Sequence, residues 1–295
     1  MPQSKNQKIL VTGGSGFIGS FLVEELVKRG YQVTIFDISE PKFTLNVPFI
    51  KGDITAREAV ERAVEGKDVV FHYAGMLGTH ETVEKAYDAA RINILGALNV
   101  YDAAKKHKVK VYDATKPNYW RNTYTITKIA AEEFGLMYRD EFGLPVVLLR
   151  YFNIFGPRQR TDIYQKAVPT FILQALKGEP LTIFGDGTQG TDHLYVEEAI
   201  RATVELFESG KMPEEAVEIG SGKEITVNEI AEKIIKLTGS KSEIKYLPMR
   251  RGETEHTRIQ ADISYLRDVI GFRPKISFEE GLLKTIEYYR KLLSQ

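Results

Sequence analysis

Tyrosine followed four residues later by lysine occurs three times between residues 101 and 128: Tyr101 with Lys105, Tyr112 with Lys116, and Tyr124 with Lys128. On a helix this spacing sets phenol and ammonium on one face, a turn apart. A phenolate beside an ammonium can take the proton of a secondary alcohol. A free tyrosine titrates near ~10, so a base working at neutral pH needs roughly three units of lowering, or ~4 kcal/mol of preference for the phenolate, which positive neighbours supply. The chain has 15 tyrosines, so the spacing alone decides nothing, and the elements that carry it must. VKVYDAT (Val109–Thr115) reads as a strand containing Tyr112, and Pro117 directly after Lys116 disfavours helix there. Tyr101 and Lys105 fall on a helix that precedes this strand, and the pair is expected to be a solvated helix face. Tyr124 falls just inside a helix that follows the strand, with Asn122 or Thr123 as its cap. Its N-terminus then faces the carboxyl edge of a sheet. Thr115, ending the strand, offers a hydroxyl to the same place. Thr115, Tyr124 and Lys128 are therefore the candidate catalytic set.

The positioning elements alternate. KILVT (Lys8–Thr12), QVTIFD (Gln32–Asp37), FIKGDI (Phe49–Ile54), DVVFHYAG (Asp68–Gly75), VKVYDAT and PVVLLRYF (Pro145–Phe152) read as strands. Helical spacing of apolar residues intervenes over Phe17–Arg29, Ala56–Glu65, Thr82–His107 and Thr123–Phe142. Strand–helix repetition with near-continuous apolar strands means a doubly wound parallel sheet with helices on both faces, an α/β Rossmann fold. After NIFGPRQR (Asn153–Arg160) glycine and proline become frequent. A helix over Val196–Ser209 and a strand over Ala216–Ile219 look like returns to the sheet. Residues 1–164, with returns near 196–220, are expected to form the nucleotide-binding domain, and 165–295 a smaller C-terminal α/β substrate domain.

TGGSGFIG (Thr12–Gly19) follows the first strand and opens a helix. Gly13 permits the tight turn, Gly16 lets backbone approach a pyrophosphate, and Gly19 allows close packing of helix on strand. Free N–H groups at the helix start meet phosphate charge. Asp37 ends the second strand, where a carboxylate binds ribose hydroxyls and repels a 2′-phosphate, which favours NAD over NADP. Asp53 ends the third strand and could accept from the adenine amino group, or serve only a turn.

Lys+Arg and Asp+Glu balance at 40 each, so nothing favours nucleic acid or an anionic membrane as partner. Cysteine is absent, which excludes disulfides, thiol nucleophiles and thiolate metal sites. Five histidines show no metal-ligand spacing, and no metal is expected. The polar start MPQSKNQ and the lack of a long apolar run lead to the expectation of a cytoplasmic protein without a membrane partner.

Together with FHYAG, RINILGALNV, YTITK, LRYFNIFGPRQ, VPTFI, LTIFGDGTQ, EIGSGKEITVNEIAE and RRGETEH, these motifs give a resemblance along nearly the whole chain. It resembles the extended short-chain dehydrogenase/reductases, in particular nucleotide-sugar epimerases and dehydratases of the UDP-galactose 4-epimerase kind. The resemblance implies an NAD site with Gly13, Gly16, Phe17, Ile18, Gly19, Asp37, Asp53, Ile54, Ala74, Gly75, Asn93, Tyr124 and Lys128. It implies a substrate site with Phe152, Asn153, Val168, Leu181, Phe184, Gln189 and Arg250, where Phe184 packs on the base and Arg250 meets the diphosphate. The expected reaction is epimerisation at C4 of a UDP-sugar through a transient 4-keto sugar, with NAD regenerated. A homodimer through the helices flanking the fifth strand is implied as well. The chain departs from the family in two places. Thr115 and Tyr124 are much closer in sequence than is usual, and Thr191 stands where an arginine is expected, with Gln189, His193 or Arg158 as substitutes. Lys116 and Pro117 follow Thr115 where 4,6-dehydratases carry an acidic pair, which argues against dehydration. A decarboxylase, a reductase or a non-catalytic NAD-binding partner protein are the alternatives.

Overall fold

The computed structural model describes residues 5–43, 46–117 and 120–294. The chain begins with β1 (Lys8–Thr12), α1 (Phe17–Lys28), β2 (Gln32–Asp37), β3 (Phe49–Lys51), α2 (Arg57–Val64) and β4 (Val69–His72). It continues through α3 (Ala86–Ala90), α4 (Gly96–His107), β5 (Lys110–Thr115), α5 (Thr123–Phe142), β6 (Val146–Tyr151), β7 (Asn153–Phe155), α6 (Ala167–Lys177), β8 (Leu181–Phe184) and β9 (Gly190–Tyr195). The rest is α7 (Val196–Ser209), β10 (Val217–Ile219), β11 (Glu224–Thr226), α8 (Val227–Thr238), β12 (Ile244–Leu247), β13 (Arg258–Ile259), α9 (Ser264–Ile270) and α10 (Phe278–Leu293).

Seven strands form one sheet in the order β10-β6-β5-β4-β1-β2-β3, with every neighbouring pair parallel. The chain walks outward from β1 to β3, then β4 returns to the other side of β1. At this switch of direction the carboxyl ends of β1 and β4 open a crevice, the usual ligand position in such sheets. Side chains alternate across the sheet. Ile9, Val11, Val33 and Ile35 belong to the core under α1 and α7, while Leu10, Phe36, Val70 and Val111 belong to the core under α2, α4 and α5. Both faces are covered, so the strands are apolar in succession. Beside the main sheet, β8 pairs with β12, and β9 is flanked by β11 and β13 and also pairs with β7. No helix among the described residues is long and apolar enough to cross a membrane.

Three local expectations are corrected. The single helix expected over Thr82–His107 is a succession of a 3₁₀ turn (Val83–Lys85), α3, a π-turn (Arg91–Leu95) and α4. Asn93 occupies the π-turn, a device that concentrates at functional sites. The third strand stops at Lys51, because Asp53 accepts from the backbone of Thr55 and Ala56 and turns the chain into α2. Tyr101 is not a solvated face: it is 0% exposed and its hydroxyl donates to Asp113. Lys105 does reach out, lying 4.1 Å over the Phe142 ring.

Candidate active site

The glycine turn after β1 is shaped by contacts that no side chain could share. Gly13 has φ +72, and a Cβ there would stand 2.6 Å from Ala74 N. A Cβ on Gly19 would stand 2.2 Å from Gly13 O, so α1 starts directly on the turn. Asp37 accepts from Ser15 N (3.1 Å) and Ser39 N (3.0 Å), which fixes its carboxylate beside the turn. Gly13, Gly16, Phe17, Ile18, Gly19, Asp37, Asp53, Ile54, Ala74 and Gly75 all line one cavity of about 680 Å³. A backbone cradle at a helix N-terminus, with a carboxylate at the end of β2, fits a dinucleotide with free ribose hydroxyls.

The same cavity runs over the carboxyl end of β5 and reaches Thr115, Tyr124 and Lys128. Asn122 caps α5, its side chain accepting from Thr125 N at 2.9 Å, so Tyr124 is held in the first turn and Lys128 one turn later. Lys128 is buried, and its ammonium lies 3.9 Å from Asp113 Oδ1. Thr115 Oγ1 is buried and has no hydrogen-bond partner among the described residues. An orphaned buried hydroxyl costs free energy unless something completes it, and a substrate hydroxyl would. Below the site, His72 shares a 2.7 Å hydrogen bond with Thr12 Oγ1. Burial holds His72 down to about 4 against the attraction of Asp113, with Lys128 lowering it further.

Two expected site residues stand off the cavity wall. Asn93 is buried beneath it: its carbonyl oxygen accepts from Met76 N (2.7 Å), and its amide donates to Met76 O and Thr127 Oγ1 (3.0 Å each). It clamps the loop after β4 onto α5. Leu181 is a core residue of β8. The remaining substrate candidates line the cavity together: Phe152, Asn153, Val168, Phe184, Gln189 and Arg250. The Arg250 guanidinium lies 4.7 Å over the Phe184 ring and is forked onto Glu253. Gln189 donates to Phe184 O, tying the same corner. Thr191 bonds His193 Nε2 at 2.9 Å, and burial lowers His193 to about 3, so it is neutral at physiological pH. Arg158 points elsewhere, paired with Glu24 and lying over Phe21, and does not replace the expected arginine.

The short connection between Thr115 and Tyr124 is met by a distant segment. Trp120 Nε1 donates to Thr257 Oγ1 (2.9 Å), Asn122 Nδ2 to Gly252 O (2.7 Å), and Thr79 Oγ1 to Glu253 (2.7 Å). Met249, Arg250, Glu253 and Thr254 thereby join Trp120 on the wall. One residue that sequence reasoning set aside also lies here. Lys116 is 7% exposed and on the wall, donating to Pro117 O and Thr125 Oγ1 (2.8 Å each), with Nζ 5.6 Å from the Tyr124 ring centroid. Burial, helped by Lys166, pushes it down to about 7. The signal available for it was its position directly after Thr115.

Residues 9–220 match the model of the NAD dependent epimerase/dehydratase family. A UDP-N-acetyl-alpha-D-glucosaminuronate decarboxylase of Bacillus cytotoxicus is 36% identical, over 97% of this chain and 98% of the relative. The UDP-glucose 4-epimerase of Thermotoga maritima, solved with UDP-glucose, is 32% identical with a TM-score of 0.90, covering 97% of this chain and 99% of the other. The UDP-glucuronic acid 4-epimerase of Bacillus cereus, solved with UDP-glucuronic acid and NAD, is 30% identical with a TM-score of 0.87, covering 97% and 99%. With the glycine cradle, Asp37 and the parallel sheet already in place, this chain belongs to the NAD dependent epimerase/dehydratase family, and its cofactor is NAD.

Proposed function

We propose that the protein is an epimerase acting at C4 of a UDP-linked sugar. The observation that carries this reading is the meeting of Tyr124, Lys128 and the orphaned Thr115 hydroxyl on one wall, beside the glycine cradle. Bound NAD supplies the acceptor for the C4 hydride and the source of its return. Tyr124 takes the proton from the 4-hydroxyl and gives it back after the sugar has turned over as a 4-keto species. Lys128 favours the phenolate, and Asp113 behind it holds the ammonium in place. Thr115 donates to or accepts from the same sugar oxygen. Phe184 and Arg250 offer a flat apolar face and a cation for base and diphosphate. We further assign the cofactor to residues 1–164 with the returns near 196–220, and the sugar nucleotide largely to 165–295. Exposed Leu95 and Ile126 beside α4 and on α5 support a homodimer through these helices, which sedimentation would check.

The 36% identity to a uronate decarboxylase favours a second reading that shares the first oxidation. There the 4-keto acid loses carbon dioxide as the bond from C5 to its carboxylate breaks, a proton takes the place of the carboxylate, and hydride then returns to the 4-ketone. Lys116 and Pro117 after Thr115 keep dehydration the weaker reading. Incubation with UDP-, dTDP- and GDP-sugars and mass analysis separates the three. A product of unchanged mass that is absent with Tyr124→Phe supports the epimerase. A product lighter by carbon dioxide or by water replaces it with the decarboxylase or the dehydratase.

A further inference from the structure

A buried carboxylate lies behind the reacting end of the cavity. Asp113, on β5 two residues before Thr115, is 0% exposed. One of its oxygens accepts from the Tyr101 hydroxyl on α4. The other has no hydrogen-bond partner among the described residues and faces the Lys128 ammonium at 3.9 Å. A buried charge is costly and needs a counter-charge. The remaining groups packed around β5 do not provide one. His72 on β4 is neutral, held down to about 4 by burial. Burial, and then Asp113 itself, push the Tyr101 phenol well above its ordinary value, so it stays protonated. Glu132 on α5 is forked onto Arg150 of β6. The carboxylates of the cavity wall are engaged elsewhere. Asp37 and Asp53 hold the turns after β2 and β3, Glu81 accepts from Gln165 N (2.9 Å), and Glu253 meets Arg250 and Thr79. Among the described residues, the carboxylate paired with Lys128 is therefore Asp113.

The size of the positive field decides what such a carboxylate does. A cation ~4 Å from a phenolate, at an effective dielectric of ~20, favours it about a thousandfold. That is already the whole lowering a tyrosine base needs at neutral pH. Lys128 stands one turn from Tyr124, and Lys116 Nζ lies 5.6 Å from the same ring centroid. Burial, helped by Lys166, pushes Lys116 down to about 7, so it is partly charged at neutral pH. The nicotinamide ring of bound NAD carries a further positive charge. Together these cations overshoot, and a phenolate made too stable no longer takes a proton from an alcohol. We propose that Asp113 is a positioning residue that tempers Lys128, so that Tyr124 can both take and return a proton near neutral pH. This rests on the reading of Tyr124 as the base of the sugar reaction. A carboxylate behind the ammonium, at about twice its distance from the phenol, takes back on the order of tenfold of the phenolate preference. Burial keeps water from screening it, and the Tyr101 hydroxyl fixes its orientation. Epimerisation needs this balance, because the group that takes the proton must give it back once the sugar has turned over.

The test reads the Tyr124 phenolate by its ultraviolet absorbance in the NAD-loaded protein, from pH about 5 to about 9. Each protein is measured against the same protein carrying Tyr124→Phe, so the other tyrosines cancel. Those nearest the site stay protonated in this range, because burial holds Tyr73, Tyr101, Tyr112 and Tyr151 up. Asp113→Asn keeps an acceptor for Tyr101 and removes the charge. The expected result is a parent midpoint near neutrality and, in Asp113→Asn, a midpoint at lower pH, with about tenfold more phenolate for each phenol at a given pH. A carboxylate that only braced the floor would leave the midpoint in place. If Asp113→Asn does not fold, Asp113→Ser takes its place. A parent midpoint near neutrality that stays put or rises in the variant overturns the proposal and leaves Tyr124 as the base. Absence of any Tyr124 transition in the parent across this range overturns the reading of Tyr124 as the base, and the proposal with it.

Discussion

Replacing Tyr101 by phenylalanine should destabilise the protein far more than the same change at its neighbour Tyr138. Both hydroxyls donate to a carboxylate, Tyr101 to Asp113 and Tyr138 to Asp102 (2.6 Å), and the two rings stand 5.4 Å apart. The difference is water. Tyr101 and Asp113 are both 0% exposed, whereas the Asp102 side chain is 32% exposed and also meets Arg57 and Lys105. Phenylalanine keeps the ring contacts and removes only the donor. At Asp113 nothing replaces that donor, because Lys128 lies at 3.9 Å from the other oxygen, beyond hydrogen-bond range. A lost hydrogen bond to a buried charge costs about 2–3 kcal/mol. At Asp102, water and two cations take over, and the cost should stay below about 1 kcal/mol.

Equilibrium urea unfolding at neutral pH reads both variants, provided the slopes agree with the parent. Gly135 supplies an internal check. A Cβ there would lie 2.8 Å from the Tyr101 hydroxyl oxygen, so Gly135→Ala should cost less in the Tyr101→Phe background than alone. Equal costs for Tyr101→Phe and Tyr138→Phe, or additive effects of Tyr101→Phe and Gly135→Ala, would refute the claim that a buried phenol–carboxylate bond anchors the floor of the site.

Two further outcomes follow from the geometry. Gly19→Ala should abolish retention of NAD, since its Cβ would drive into Gly13 O at 2.2 Å. Retained cofactor after gel filtration, seen by absorbance of the released dinucleotide, would show that the helix start is not the cradle. Stability should also fall as pH drops from 6.5 toward about 4, because His72 stays neutral when folded, held near 4, while the unfolded chain takes up a proton at its ordinary value. The stabilisation is complete above ~6.5, and about 2 kcal/mol of it should be gone by pH 5. His193, held near 3, acts in the same direction. Urea midpoints of the parent and of His72→Asn at pH 8, 6.5 and 5 check this, and an equally steep loss in the variant would refute the assignment to His72.

What the sequence revealed and what it concealed divide by the range of the interaction. The parallel strands, the glycine turn, the Asn122 cap and the choice of Tyr124 among three tyrosines are written in neighbouring residues, where periodicity and capping chemistry act. Tyr101 misled because helical spacing places it with Lys105 on one face but does not say what covers that face. The ring is buried against β5 and α5 while the lysine stem runs out over Phe142. Asp113 in the run VKVYDAT was the available warning, since a charge inside a doubly covered strand must find a partner on a facing helix. The same reasoning explains the short connection before Tyr124. Read locally it looks like a missing wall, but Trp120 and Asn122 reach Thr257 and Gly252, more than a hundred residues away. A segment that is near in space and remote in sequence takes the place of the absent loop.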